Sequence, residues 1–298
     1  MMEIIYAICR QWYEFENIEL KKIFPAKGNR IVCHVHADDR EYVLKAHPAE
    51  TEEMLIQSAV TSLGYLYTHG IRVPAVLKSY DGKLYIKTSE YYIYIMDYIA
   101  GRQCHADKQD EFALGKALTQ LHRITDFEKY ADLPMENHYE LLRSRFSQYS
   151  FKEKYDTLIE MLPDFREGRQ TFIHSDIGPH NAIMDQQGEV VFIDLDGTGK
   201  GSPYVDLGYP LITQFVQYDQ FGQLYFDEEN ARAFYDGYRS VVPISPQEAE
   251  LIFQGALYMQ ILYMPDYGEE HVWGMWRKVE YAIKNKELLL DAVLLEGC

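Results

Sequence analysis

The chain has 298 residues, 47% of them hydrophobic, and a formal net charge of −17. That much apolar side chain supports a substantial core, in one large domain or two packed lobes. The acidity, with no Lys/Arg run, argues against a nucleic-acid partner, and no stretch approaches the ~18–20 apolar residues of a membrane helix.

The acid excess suits a cationic or amine-bearing small molecule, although solubility alone also accounts for it. The cysteines, Cys9, Cys33, Cys104 and Cys298, make no C-x-x-C pair, so neither a zinc site nor a disulfide framework is expected. A reducing cytoplasm fits that usage. The opening MMEIIYAICRQW lacks a basic region before its short apolar run and is a poor signal peptide.

In chain order, residues 1–12 read as a short helix. Residues 20–46 are strand-like: 31–36 alternates, Asp38-Asp39-Arg40 is a turn, and 42–45 returns as a hairpin. Met54, Leu55, Ala59, Leu63 and Leu66 recur every three or four positions, predicting a helix over 49–69 with Gly70 as its stop. Strands follow at 75–79, 83–88 and 91–96, broken at Asp81-Gly82 and Ser89-Glu90. Beyond residue 102 the pattern turns helical. Phe112, Leu114, Leu118, Leu121 and Ile124 mark one amphipathic helix. Others are expected at about 138–162, 206–218, 227–240, 245–263 and 269–292, with short strands only near 171–173 and 189–193. The expected organisation is a β-rich lobe over 1–97, a link at 97–102, and a mainly helical lobe over 98–298.

The chemistry-bearing stretch is FIHSDIGPHNAIMDQQGEVVFIDLDG, residues 172–197. Asp176 follows an apolar strand, Asn181 stands five residues on, and Asp194 and Asp196 close a second strand thirteen residues later. Phosphoryl transfer asks for such parts: a carboxylate to orient an attacking hydroxyl, and amide and carboxylate oxygens to hold Mg²⁺ against nucleotide phosphates. Two acids flanking one residue point the same way from a strand.

The segment His174-Ser175-Asp176-Ile177-Gly178-Pro179-His180-Asn181 resembles the H-G-D-x-x-x-x-N catalytic loop of the aminoglycoside phosphotransferase and choline kinase family, small-molecule relatives of protein kinases. Phe192-Ile193-Asp194-Leu195-Asp196 resembles their metal-binding motif, and Pro203-Tyr204-Val205-Asp206-Leu207-Gly208 the segment after it. Glu41–Lys45 resembles the strand of the phosphate-gripping lysine, Gly70–Pro74 the junction after the N-lobe helix, Tyr94–Gly101 the hinge, and Leu114–His122 the first large C-lobe helix. The resemblance spans residues 28–208. It implies an α+β, bilobal protein-kinase-like fold and a phosphotransferase that takes ATP (or GTP) and Mg²⁺ to phosphorylate a hydroxyl of an aminoglycoside-like antibiotic, amino alcohol, sugar or homoserine-like metabolite. Asp176 is implied as the catalytic residue, Asn181 and Asp194 as metal ligands, Lys45 as the phosphate contact, and Met96, Asp97 and Tyr98 as the adenine-binding hinge.

This chain also departs from the pattern. Ser175 replaces the glycine after the histidine. No glycine-rich loop precedes Lys45, Gly28-Asn29 being the candidate turn. The glutamate that should pair with the lysine falls near Ser58 or Ala59, with Glu52, Glu53 and Gln57 one or two turns early. Only twelve positions separate Asp194 from Asp206, too few for a phosphorylatable activation loop, so a protein substrate is not expected.

Plainer readings stand beside these. His174, His180 and His122 fit structural roles, and Asp206 fits a helix cap or a support for the catalytic loop. Asp227, Glu228, Glu229, Asp266, Glu269 and Glu270 could hold an amine but are commonly solvated helix-end charges. Tyr263, Tyr267, Trp273 and Trp276 could wall an acceptor pocket. Two alternative functions remain: a catalytically weak kinase-like binding protein, and a haloacid-dehalogenase-type phosphatase in which Asp194 of D-x-D-G-T is the nucleophile.

Overall fold

In the computed structural model, which describes residues 2–26, 29–126, 149–264 and 269–295, the first sheet is organised by a two-residue turn. Asp38 (φ 47°) and Asp39 (φ 67°) both take positive φ, the geometry whose twist matches flanking strands and which Asp tolerates better than bulkier residues. It joins β2 (Ile31–Ala37) to β3 (Arg40–Pro48) in the expected hairpin, with Ala37 opposite Arg40. The Asp38 carboxylate also accepts from the Asn17 amide at 2.9 Å, fixing the start of β1 (Ile18–Phe24).

The antiparallel sheet runs β1-β2-β3-β6-β4, with β4 Val76–Leu77, β5 Ile86–Lys87 on β6, and β6 Tyr91–Asp97. β4 and β5 are shorter than expected. The turn after Tyr80 closes at Gly82 (φ 81°) and takes neighbouring residues out of the ladder. Strand alternation sorts the two faces. Tyr42, Leu44, Ala46, Ile93 and Ile95 join Ile5, Ile8 and Cys9 of α1 (Met2–Tyr13) in one buried cluster. Lys45, His47, Tyr92 and Tyr94 fall on the opposite face. Helix α2 (Glu53–Thr68) begins four residues later than the periodicity suggested, because β3 runs on to Pro48 and Thr51 closes a turn on it. It ends as expected, at Gly70 (φ 75°).

Further along, β7 is Gly101–Gln103 and α3 is Lys108–Leu121, N-capped by Asp107. Leu114, Leu118 and Leu121 are buried, but Phe112 is an exposed large apolar residue. Helix α4 (Lys152–Met161) is the end of the helix expected over 138–162; residues 149–151 form a bend and turn before it, and 138–148 lie outside the described residues. Four more short strands occur than the two expected: β8 Thr171–Ile173, β9 Ala182–Asp185, β10 Val190–Phe192, β11 Gly199–Gly201, β12 Val216–Tyr218 and β13 Leu224–Phe226. The helix expected over 206–218 is α5 (Pro203–Thr213). The amides of Gln214 and Phe215 both turn back to Pro210, and the chain leaves as β12, paired with β13 across a turn at Gly222. Helices α6 (Glu228–Arg239) and α7 (Pro246–Tyr263) match expectation, α7 opening with a full Ser245–Glu248 capping box. The last expected helix is two, α8 (Glu269–Lys284) and α9 (Lys286–Leu294), broken at Asn285 (φ −110°).

The chain divides into two compact units. One holds Met1–Arg102 with Ile183–Asp196, the other Gln103–Ala182 with Gly197–Cys298. The segment 183–196 is tied into the first by Phe192 N–H donating to Arg72 O at 3.3 Å and by an Arg72–Asp185 ion pair. In the second unit two helix pairs cross at glycines. A Cβ on Gly115 of α3 would lie 1.9 Å from Phe234 O, and one on Gly237 of α6 would lie 2.0 Å from Phe112 O. Gly208 of α5 and Gly255 of α7 are related in the same way, each 2.4 Å from backbone of the other helix. Among the described residues the cysteines Cys9, Cys33 and Cys104 are buried and stand outside any disulfide, and no helix is long and apolar enough to cross a membrane.

Candidate active site

Within the second unit, β8 delivers His174-Ser175-Asp176. The loop reverses at Ser175, whose φ of 69° is the left-handed conformation that explains a glycine at this point in relatives of the motif. Asp206, in the first turn of α5 and fully buried, holds the loop backbone. One carboxylate oxygen accepts from Ser175 N–H at 2.8 Å. The other accepts from His174 N–H at 2.8 Å and meets His122 Nε2 at 3.1 Å. Tyr238 Oη lies 3.0 Å from His122 Nδ1. Ser175 Oγ donates to Gly197 O at 2.9 Å. His174 is buried, and its Nδ1 accepts the Asp176 amide at 3.4 Å, so it braces the loop.

The Asp176 carboxylate is oriented by Asn181, which ends a short 3₁₀ turn (Pro179–Asn181). Asn181 Nδ2 donates to Asp176 Oδ2 and to Asp176 O, both at 2.8 Å. His180 Nε2 stands 3.5 Å from the other carboxylate oxygen. Burial by itself raises the Asp176 pKa, but hydrogen bonds from His180 and Tyr209 outweigh it and hold the carboxyl well below the usual carboxylate range. Because the Asn181 amide nitrogen is spent on Asp176, its Oδ1 is the end left for a hard cation, and that donor chemistry fits Mg²⁺. Beside this loop lies a cavity of about 320 Å³ lined by Ala106, Ile177, Pro179, His180, Tyr209, Thr213 and Gln214. Gln214 Nε2 donates to the buried Glu111, whose pKa burial pushes up to about 8.

In the first unit, Lys45 is 6% exposed and pairs with two acids. Its Nζ is 2.5 Å from Asp194 Oδ1 and 3.1 Å from Asp196 Oδ1. Burial opposes the ammonium charge; Tyr94, Asp196 and Asp194 more than offset it and hold the lysine above its ordinary range. Asp194 sits at φ 57° with its side chain 45% exposed, leaving Oδ2 available for a divalent ion. Asp196 also accepts from Tyr94 Oη at 2.9 Å, with Arg30 and His47 at 3.6 and 3.7 Å from its second oxygen.

The hinge residues are placed differently from a free adenine edge. Met96 is buried on β6 opposite Val43. The amides of Asp97 and Tyr98 donate to Ala75 O (2.9 Å) and Glu41 O (3.1 Å). An adenine would take neither amide without displacing a strand contact. The Tyr98 ring stacks on His34 at 3.9 Å.

Among the other candidates, Asp227 caps α6, Glu228 pairs with Arg232 and Glu229 with Lys108. Trp276 is buried against Phe151, and Trp273 packs edge-on to the same ring. Asp266 and Tyr267 lie outside the described residues. The sequence reading missed Tyr94 as a partner of the lysine pair. It is the strand register, which sets Tyr94 directly opposite Lys45, that brings it there.

The pinned Asp-x₄-Asn loop lies in one unit and the strand lysine with its Asp-x-Asp pair in the other. The model of the phosphotransferase enzyme family matches residues 25–241, and the chain belongs to that family. Its structure is similar to a microcompartment-associated aminopropanol kinase, at 15% identity and TM-score 0.63 over 99% of both chains. It is also similar to an aminoglycoside phosphotransferase from Alicyclobacillus acidocaldarius, at 13% identity and 0.61 over 95% of this chain and 94% of that one. A third similar structure is a spectinomycin phosphotransferase in complex with ADP and spectinomycin, at 15% identity and 0.58 over 97% of each. The fold is thus α+β and protein-kinase-like. The phosphatase alternative is overturned: Asp194 follows β10 of a three-stranded β10-β9-β7 sheet in a family of phosphotransferases, not the opening strand of a long α/β domain.

Proposed function

We propose that this chain is an ATP (or GTP)- and Mg²⁺-dependent kinase of a small-molecule hydroxyl, working in the cytoplasm. The observation that carries the reading is the Asp176 carboxylate, kept ionised and aimed by Asn181 on a loop whose backbone is clamped by Asp206. Held ionised so firmly, Asp176 is a weak base. Its role is to accept a hydrogen bond from the acceptor hydroxyl, orient the oxygen, and take its proton as the new oxygen–phosphorus bond forms and the bond from the terminal phosphorus to the bridging oxygen breaks, releasing the nucleoside diphosphate. Lys45 presents a point charge to the nucleotide phosphates. Asn181 Oδ1 and Asp194 Oδ2 would hold Mg²⁺, which when bound neutralises phosphate charge. Met96, Asp97 and Tyr98 are proposed to border the adenine, using groups other than the two engaged amides. Positioning and charge neutralisation supply most of the rate gain.

The relatives' named substrates, aminopropanol and spectinomycin, together with the net charge of −17, support an amine-bearing alcohol as acceptor. The test is nucleoside diphosphate release over a panel of amino alcohols, aminoglycosides, sugars and homoserine. Turnover that is Mg²⁺-dependent and lost in Asp176→Ala is expected. Because Asp176 stays ionised far into acid, the rate should show no carboxylate limb between pH 5 and 7. A second reading, a catalytically weak binding protein, is favoured by one observation: the buried face of α2 carries no acid for Lys45. Tight nucleotide binding without turnover on the whole panel would select it.

A further inference from the structure

A buried ammonium needs a fixed counter-charge, or its desolvation is uncompensated. The helix that would ordinarily be searched for that charge does not offer one. The buried positions of α2 are Ile56, Ala59, Val60, Ser62, Leu63 and Leu66. Its first-turn acid, Glu53, is taken by Lys87 at 2.6 Å and Tyr85 at 2.9 Å. Glu52, just before it, is exposed.

The charge comes instead from the far end of the Asp-x-Asp motif. Lys45 and Tyr94 are register partners on neighbouring strands, and both donate to the same atom, Asp196 Oδ1, at 3.1 and 2.9 Å. His47, two residues along β3 and so on the same face, stacks on the Tyr94 ring at 5.9 Å. A single oxygen therefore gathers one lysine and one tyrosine whose separation is set by the sheet itself. Asp194 also meets Lys45 through Oδ1, at 2.5 Å, but its side chain is 45% exposed against 24% for Asp196.

We infer that Asp196 is the positioning residue for Lys45 in this chain, taking the part an α2 acid would play, with Tyr94 locking its Oδ1. The inference rests on the nucleotide-kinase reading above. Were Asp194 Oδ2 to take a divalent ion, Asp196 would still hold the ammonium in place. Without Asp196, the lysine and the ion would have to share the one carboxylate of Asp194.

The test is calorimetric titration of ADP into the full chain, once in EDTA and once with Mg²⁺, for wild type, Asp196→Asn, Tyr94→Phe, Lys45→Met and the Lys45→Met/Asp196→Asn pair. Melting temperature and circular dichroism confirm folding. The expected result is roughly tenfold weaker ADP binding in EDTA for Asp196→Asn and two- to fivefold weaker for Tyr94→Phe. Asp196→Asn should add nothing once Lys45 is methionine, because its effect runs through that lysine. If Asp196→Asn binds ADP normally in EDTA and is weakened only with Mg²⁺, Asp196 is a metal ligand and the inference fails. Additive losses in the double variant also overturn it. Should Asp196→Asn misfold, Tyr94→Phe with unchanged binding in both conditions refutes the lock. Absence of ADP binding by the wild type is a separate failure, that of the kinase reading itself.

Discussion

Asp206 makes the most demanding claim on the second unit, so its replacement is the sharpest test of how the catalytic loop is built. The carboxylate is fully buried and receives two backbone amides at 2.8 Å each, with His122 Nε2 at 3.1 Å. Hydrogen bonds to a charged group contribute about 1.5–3 kcal/mol each, and a buried amide left without a partner costs about 1–3 kcal/mol. Asp206→Asn keeps one oxygen, so one amide stays satisfied while the other faces an NH₂ group. Relief of the buried charge offsets part of the loss. The expected net cost is about 3 kcal/mol for Asn and about 5 kcal/mol for Ala, which orphans both amides and His122. The assay is urea unfolding followed by fluorescence in a Trp12→Phe background, where the remaining tryptophans, Trp273 and Trp276, both lie in the second unit, with far-UV circular dichroism as the check on two-state behaviour. Hydrogen exchange should show the His174 and Ser175 amides losing protection in either variant. Because Asp176 follows directly on this clamp, turnover should fall about a hundredfold in Asp206→Asn, the scale expected of a displacement near 1 Å at a reacting group. An unfolding midpoint equal to wild type, with both amides still protected, would refute the clamp.

Gly115→Ala should be among the most damaging small substitutions, costing about 3 kcal/mol or more, since its Cβ would meet a backbone carbonyl at 1.9 Å and the α3–α6 crossing has to open. Gly64→Ala, in α2 with nothing within 4 Å, should instead stabilise by about 0.5–1 kcal/mol; equal effects in thermal melting would contradict the crossing geometry. Ser175→Gly should be close to neutral, relief of positive φ balancing the lost Oγ bond to Gly197, whereas Ser175→Val should cost more than 2 kcal/mol. Glu111 carries a pH signature. Burial lifts its folded pKa from the ordinary 4.5 to about 8, so between those values the unfolded chain ionises while the folded one keeps the proton. Stability from this group is therefore intact below about pH 4.5 and lost with rising pH until about 8, at up to about 1.4 kcal/mol per unit. Glu111→Gln should flatten that decline, and a denaturation series from pH 5 to 8 in which wild type and variant run parallel would count against it.

Much of this protein was legible before any coordinates. The Asp38-Asp39 turn, the α2 periodicity with its Gly70 stop and the Ser245 start of α7 are local signals, written within a few residues by φ preference, spacing and capping. Asp176, Asn181 and Asp194 were equally visible as a series of oxygen donors after apolar strands, and the order of motifs pointed to the family. What escaped was non-local. Nothing in Gln214–Phe226 says that β12 and β13 pair instead of continuing a helix. No property of Gly115 or Gly237 alone announces that two helices meet backbone to backbone there.

The partner of Lys45 is the clearest case. Counting along α2 looks for an acid within the same stretch of chain and finds Ser58 and Ala59. The ion pair is made by residues 149 and 151 positions away. Sequence determined which groups could carry charge, donate oxygen or reverse the backbone, because those are properties of single side chains and short runs. Tertiary structure decided which of them meet, because a buried ammonium is stabilised by whatever carboxylate the fold brings within 3 Å, however far along the chain it lies.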